Sequence, residues 1–283
     1  MHRRSGASRP ARLDPVEPSL IVTDLDGTLW HTDDDVHRDV VDALARVLAD
    51  GPPLLVATGR RVTSTRVPLA RIGAAPSAIV LNGALGLDLA TDERFHRAPF
   101  PPDEAAAVLA GFREAGLSPV VYVDEHRFEV CVGDEPSTNP GHLADLGSTA
   151  GCSDLEAVVR DGVVLGFSVI GVAHGTLVFA AESLADVAEV HLDRSLDYPG
   201  TASLTVAPCG QSKWDGVLAR CERDGLDPDR VLALGDGPND LELLTNAAVA
   251  VVPERAHPAA LALADVVIPP PEDGGWAQVL DLL

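Results

Sequence analysis

The sequence predicts an α/β protein: a doubly wound parallel sheet interrupted by an inserted α+β domain. Three observations carry that expectation. Short apolar runs recur towards both ends of the chain, each stopping on polar residues. Stretches of helical periodicity separate them, and the alternation breaks off in the middle of the chain. Continuous apolar runs are how strands buried on both faces of a parallel sheet read, and ligands of such sheets bind beyond the carboxyl ends of the strands.

The first run, Leu20-Ile21-Val22-Thr23, stops on Asp24-Leu25-Asp26-Gly27-Thr28. In extended chain, residues two apart point to the same side, so Asp24 and Asp26 project together, and Gly27 lets the backbone turn behind them. Adjacent carboxylates repel, and such a pair needs a cation, a shared proton or both. The plain alternative is a strand followed by an Asp-Gly turn. Val36, Val40, Val41, Leu44, Val47 and Leu48 predict a helix over 36–49, closed by Gly51-Pro52-Pro53. Leu54–Ala57 is a second buried strand ending on Thr58-Gly59-Arg60. A polar helix with Val67, Leu69 and Ile72 follows, then a third strand, Ala78–Leu81, ending on Asn82-Gly83.

From about residue 86 the pattern changes. A helix over 102–115 precedes two strand-like runs, Pro119–Val123 and Arg127–Val132, and a Gly/Pro/Ser-rich passage covers 133–153. A strand at Val163–Gly171, a helix at Ser183–His191 and a strand at Ala202–Ala207 complete an α+β unit. The parallel pattern resumes with a helix over 212–223, whose Trp214, Val217, Leu218 and Cys221 share a face. Strand Val231–Leu234 ends on Gly235-Asp236-Gly237-Pro238-Asn239-Asp240, and helix 239–246 with strands Ala248–Val252 and Val266–Ile268 finishes the core. The expected division is a disordered tail at 1–17, a core at 18–85 and 206–283, and an inserted cap at 86–205.

Composition narrows the function. With 46% hydrophobic and 23% charged residues the chain reads as soluble and globular, and no apolar run approaches the ~20 residues of a membrane span. The arginine-bearing first 17 residues lack the apolar stretch of a secretory signal. Four widely spaced cysteines without a CxxC pair suit a reduced, cytoplasmic setting. A formal charge of −22 argues against nucleic acid or an acidic membrane surface as partner, and suits a protein that handles a divalent cation. Of 21 basic residues a single one, Lys213, is lysine, which points to a place needing a compact ammonium instead of a planar fork.

In chain order, Asp24-Leu25-Asp26-Gly27-Thr28, Thr58-Gly59-Arg60, Asn82-Gly83-Ala84, Lys213 and Gly235-Asp236-Gly237-Pro238-Asn239-Asp240 resemble the motifs of the haloacid dehalogenase superfamily of phosphatases. More closely, the chain resembles the Cof-like branch, whose large α/β cap is inserted after the third strand. The resemblance covers nearly everything except the tail and the details of the cap. It implies a Rossmann-like core and Mg²⁺-dependent hydrolysis of a small phosphomonoester, a sugar or polyol phosphate, through an aspartyl phosphate. It implies Asp24 as nucleophile, and Asp26 as the acid that protonates the leaving oxygen and then the base that activates water. Asp24 and Asp236 are the implied carboxylate ligands of Mg²⁺, with the Asp26 backbone carbonyl as third. Thr58, Gly59, Lys213 and Asn239 are the implied phosphate-binding residues. Asp240, Arg60 and Asn82 are the implied supporting ones, Asp240 reaching the ion through water or orienting Asn239.

The residue types suit these roles. Mg²⁺ takes oxygen ligands and one or two carboxylates. A metal on Asp24 keeps it ionised, while the neighbouring charge favours a protonated Asp26. Lys213 at a helix start adds a point charge to the helix dipole. Asp236–Asp240 also reads as a capped helix start with Pro238 in its first turn, and the two readings coincide at anion sites. Cap residues Tyr122, His126, Arg127, Glu129, Asn139 and His142 are the candidate substrate contacts. Two rivals keep the fold: a phosphosugar mutase, against which stands the lack of an arginine cluster in the cap, and a non-catalytic phosphometabolite sensor. Paired histidines for zinc, a G-x-G-x-x-G fingerprint and a Walker lysine motif are absent from the sequence. Cys209 reads as a packed thiol.

Overall fold

A computed structural model describes residues 17–31, 35–195 and 198–283; the expected tail lies outside these apart from Glu17. Strands β1 (Leu20–Thr23), β2 (Leu54–Ala57) and β3 (Ser77–Val80) are buried throughout and alternate with helices α1 (Arg38–Asp50) and α2 (Val62–Arg71). Two further strands follow directly, β4 (Leu85–Asp88) and β5 (Arg94–Arg97). Next come α3 (Pro102–Glu114), β6 (Val120–Asp124), β7 (Val130–Val132), α4 (Pro140–Leu146), β8 (Ala150–Cys152) and α5 (Leu155–Asp161). After them run β9 (Val163–Val172), α6 (His174–Leu184), β10 (Glu189–Arg194) and β11 (Ala202–Ala207). The chain closes with α7 (Lys213–Asp224), β12 (Val231–Leu234), α8 (Leu241–Asn246), β13 (Val249–Pro253), α9 (Pro258–Leu261) and β14 (Val266–Ile268).

These strands form two sheets. The core sheet has the order β14-β13-β12-β1-β2-β3-β4-β5, parallel as far as β3 and antiparallel beyond. β1 lies between β12 and β2, so the strand order reverses beside it. That reversal is the topological switch point where α/β sheets bind ligands. The second sheet, β10-β11-β9-β6-β7-β8, has α3, α5 and α6 on one face. On that face Val121 and Val123 of β6 meet Phe112, Phe167 and Leu177, while the alternate residues Val120 and Tyr122 turn towards the core domain. Period-two alternation thus gives the cap one face for its own helices and one for the site.

Several expectations need correction. β4 and β5 belong to the core sheet, so the first boundary falls after Arg97 and not at 85. β5 is hidden because it is a charged antiparallel edge strand, and β4, which lies between β3 and β5, because it is only four residues long. β11 lies in the cap sheet to Ala207, past the expected boundary at 206. In place of a helix at Ser183–His191 there is α6, ending at Leu184, and then β10, which pairs along the whole of β11. The passage at 133–153 contains α4 and β8. On α7, Trp214, Val217 and Cys221 are buried but Leu218 is exposed; Cys209, read as packed, is exposed too.

Candidate active site

Each candidate residue sits just beyond the end of a core strand or at a helix start. The Asp24 amide continues the β1–β12 ladder by donating to the Leu234 carbonyl at 2.9 Å. Beyond it the chain coils tightly, with Leu25 O accepting from the amides of Thr28, Leu29 and Trp30 and the three apolar side chains buried. Gly27 has φ +80°, and a Cβ there would lie 2.4 Å from Asp236 Oδ2. Only glycine lets the two strand ends come this close. Gly83 does the same for β3: at φ +115° a Cβ would lie 2.2 Å from the Ser212 carbonyl at the start of α7. Asp215 fixes that start by accepting from the Ser212 amide at 2.9 Å and its hydroxyl at 3.0 Å.

Lys213 is thereby aimed beneath the strand ends. Its fully buried ammonium donates to Asp24 Oδ1 at 2.6 Å and to Asp240 Oδ1 at 2.7 Å. The second Asp240 oxygen accepts from the amides of Asp236 (3.1 Å) and Gly237 (3.0 Å). Asp240 is therefore an anchor for Lys213 and for the loop after β12; of its two expected roles, reaching the ion through water or orienting Asn239, the second finds no hydrogen bond among the described residues. Asn239 donates instead to Asn82 Oδ1 at 3.0 Å, across the mouth of the site. Asp236 accepts from the Thr28 hydroxyl at 3.2 Å. Asp26 turns away from this group: Arg60 holds its two oxygens at 2.6 and 2.5 Å, and Trp30 Nε1 adds a bond of 3.0 Å. Thr58 is buried, with its hydroxyl accepting from the Arg60 amide at 3.2 Å.

The electrostatics follow from this crowding. Carboxylate oxygens of Asp24, Asp236 and Asp240 lie within 4.8 Å of one another. Burial pushes the Asp24 carboxyl well above its ordinary range; Lys213 opposes this, and Asp240, Asp26 and Asp236 add to it. Burial and then Asp240 push Asp236 up to about 6 against the pull of Thr28 and Lys213. Burial also weighs against the charge on Lys213, but Asp24 and Asp240 together outweigh it and raise its pKa. The cluster holds more negative charge than one ammonium neutralises, and its donors are hard carboxylate oxygens. Among the described residues no hydrogen bond reaches Asp24 Oδ2 or Asp236 Oδ2. This donor set fits a small divalent cation such as Mg²⁺.

A cavity of about 980 Å³ opens over the carboxylates between core and cap. Asp24, Asp26, Thr58, Gly59, Asp236 and Asn239 form its floor; Tyr122 and Ile170 of the cap sheet lie opposite. Its sides are one face of α2 (Thr63, Ser64, Val67, Arg71) and one face of α4 (His142, Asp145, Leu146).

The profile of haloacid dehalogenase-like hydrolases matches residues 21–131 and 180–280, more than half of the chain and every strand-end motif of the site. The chain belongs to this family. Among its relatives in the family, the phosphoglycolate phosphatase of Methanopyrus kandleri is 28% identical over 263 residues, covering 93% of this chain and 95% of that one. The pyridoxal phosphate phosphatase of Escherichia coli is 24% identical over 262 residues, 88% of this chain and 92% of that one. A Thermotoga maritima structure shares the fold with a TM-score of 0.76 at 19% identity, covering 94% of this chain and 97% of its own. A sugar phosphatase of haloacid dehalogenase subclass IIB does so with a TM-score of 0.71 at 21% identity, covering 93% and 98%. This chain is thus a haloacid dehalogenase-like hydrolase, and its core with an inserted cap is the fold of these solved structures.

Of the candidate cap contacts, Tyr122 and His142 line the cavity. Tyr122 does so with its ring, its hydroxyl being bonded to Ser168 at 3.0 Å. The others are engaged elsewhere. His126 accepts from the Phe128 amide, Arg127 stacks on Phe128, and Asn139 caps α4 and donates to Gly171 O. Glu129 is held by Arg61 and the Thr63 amide. Sequence reasoning missed the α2 face and Asp145. Ser64, Val67 and Arg71 recur at helical spacing after the Thr58 motif, a signal that was there to read; Asp145 lies in the Gly/Pro/Ser-rich passage, to which the sequence pattern assigned no element.

Proposed function

We propose that this enzyme hydrolyses a small phosphomonoester of the sugar or polyol phosphate class, with Mg²⁺, through an aspartyl phosphate on Asp24. One observation carries the reading: Lys213 fixes one oxygen of Asp24 and leaves the carboxylate at the floor of the cavity, beside Asp236. Asp24 then attacks phosphorus in line with the departing ester oxygen. Lys213, Thr58 and the Gly59 backbone surround the phosphoryl oxygens, preorganised because their own partners already hold them. Asp26 delivers a proton to the leaving oxygen and later takes one from water. For that it must exchange at least one Arg60 bond for the ester oxygen, because both of its oxygens are held by that guanidinium. Asp24 and Asp236, with the Asp26 carbonyl, would hold Mg²⁺, which supplies positive charge against the phosphoryl oxygens.

The hydroxyl-rich leaving group is supported by the cavity walls, where Thr63, Ser64, His142 and Asp145 offer polar atoms beside the apolar Val67, Leu146 and Ile170. Four free cysteines suit a reducing, cytoplasmic setting. Among the described residues no helix is long and apolar enough to cross a membrane. A panel of phosphate esters with Mg²⁺ tests the reading. Release of inorganic phosphate without a bisphosphate activator, lost in a folded Asp24→Asn variant, supports it. Phosphate migration within a sugar would favour the mutase, and no turnover on any ester would favour the sensor.

A further inference from the structure

The β6–β7 turn of the cap is tied to the core on both flanks. On one side Asp124, whose side chain is 4% exposed, receives Arg94 at 3.1 Å and Arg97 at 2.7 Å. On the other, Glu129 Oε2 accepts from Arg61 Nη1 at 2.6 Å and Glu129 Oε1 from the Thr63 amide at 3.0 Å. Arg61 Nη1 also donates to Thr149 Oγ1 at 3.0 Å, and Thr149 in turn donates to the Leu146 carbonyl at the end of α4. The side chains of Arg61 and Glu129 are 11% and 17% exposed. A pair this buried loses in desolvation about what it regains by attraction, so net stability does not account for it. What it fixes is position.

Arg61 follows the residue that grips Asp26. Arg60 holds both Asp26 oxygens, its amide donates to the Thr58 hydroxyl, and its Nη1 donates to the Ser64 carbonyl at 3.0 Å. Residues 58–64 thus form one hydrogen-bonded strut. One end rests on the phosphoryl site and the other on the cap. We propose that Glu129 is a positioning residue: gripping Arg61 and the Thr63 amide, it couples the seating of the cap to the placement of Thr58 and Asp26. The inference rests on the phosphatase reading above and extends it to a residue that touches no reacting atom. Arg61 serves both sides, since through Thr149 it also fixes the end of α4 that walls the leaving-group chamber.

The test uses the full-length, Mg²⁺-loaded enzyme with methyl phosphate and phenyl phosphate as probes. Glu129→Gln keeps the shape and removes the charge, Glu129→Ala removes the grip, and Arg61→Met removes the partner. Arg113→Met, which breaks an exposed pair between α3 and α5, is the control and keeps full activity. Misplacing catalytic groups by a fraction of an ångström to an ångström predicts a kcat lower by about 10- to 100-fold in the Glu129 and Arg61 variants. KM should move less than about threefold. The loss should be at least as large on methyl phosphate, whose leaving group is too small to reach Glu129 and most needs the acid. Hydrogen exchange at the Thr63 amide should rise at least about tenfold in Glu129→Ala. A loss confined to phenyl phosphate, or to KM, would make Glu129 a substrate contact and overturn the coupling. Faster exchange at Thr63 with unchanged kcat would make it a structural tie only, and would overturn the coupling as well. A wild type inactive on every ester overturns the phosphatase reading and the coupling together, whereas an active wild type matched by Glu129→Gln overturns the coupling alone.

Discussion

Lys213 lies fully buried between two carboxylates, a position in which no other residue type supplies three donors on a point charge. Removing its charge leaves Asp24 and Asp240 facing each other in the interior. Lys213→Met should cost about 3–5 kcal/mol in chemical denaturation of the metal-free protein, together with all measurable turnover. Gly27→Ala forces a side chain into Asp236 at a positive φ and should lower kcat by about 100-fold, with little change in fold by circular dichroism. The acid cluster also sets a pH dependence. Asp236 is raised to about 6 in the fold, and Asp24 is raised too. A raised acid binds its proton more tightly folded than unfolded, so its stabilising effect is complete below about pH 4 and disappears as pH rises through about 6. The melting temperature of the metal-free protein should therefore fall across that window, while the gain from added Mg²⁺ grows across it, because the ion needs ionised carboxylates. A metal-free melting temperature that climbs across the same window would contradict the crowding described here.

At the scale of elements, β1 and β12 were legible because strands buried on both faces are uninterrupted apolar runs, and their polar ends named Asp24 and Asp236 directly. β5 and β10 were not, because edge strands such as Arg94–Arg97 and Glu189–Arg194 draw their structure from a neighbour, not from their own pattern. Lys213 was legible as the sole lysine at a helix start. Arg61 was not: an arginine beside Thr58-Gly59-Arg60 acquires its role only where Glu129, 68 residues later, folds back on it. Trp276 was equally silent. It lies in the C-terminal 3₁₀ turn Gly275–Leu282, wholly buried, and its Nε1 donates to the Thr23 hydroxyl at 3.0 Å, which in turn bonds the Asp24 carbonyl at 2.8 Å. It supports the end of β1 from behind. Trp276→Ala should destabilise the fold by about 3–5 kcal/mol in urea titration, as large cavities in cores do. Trp276→Phe, which keeps most of the volume, should cost much less.

For the whole molecule, the site is complete only because two separately packed bodies meet. The core supplies carboxylates, ammonium and strut; the cap sheet supplies a roof whose inward residues alternate with those on its own helices. Metal removal tests the core half of that arrangement: chelation should abolish turnover, and Mg²⁺ should restore it. The central claim is that Asp24 becomes covalently phosphorylated, and trapping that species tests it most directly. Quenching the enzyme in mid-turnover with borohydride reduces an aspartyl phosphate to homoserine, which peptide mass spectrometry locates. The account predicts homoserine at position 24 and at no other aspartate. Turnover that proceeds with Asp24 unmodified, or homoserine at another aspartate, would contradict it.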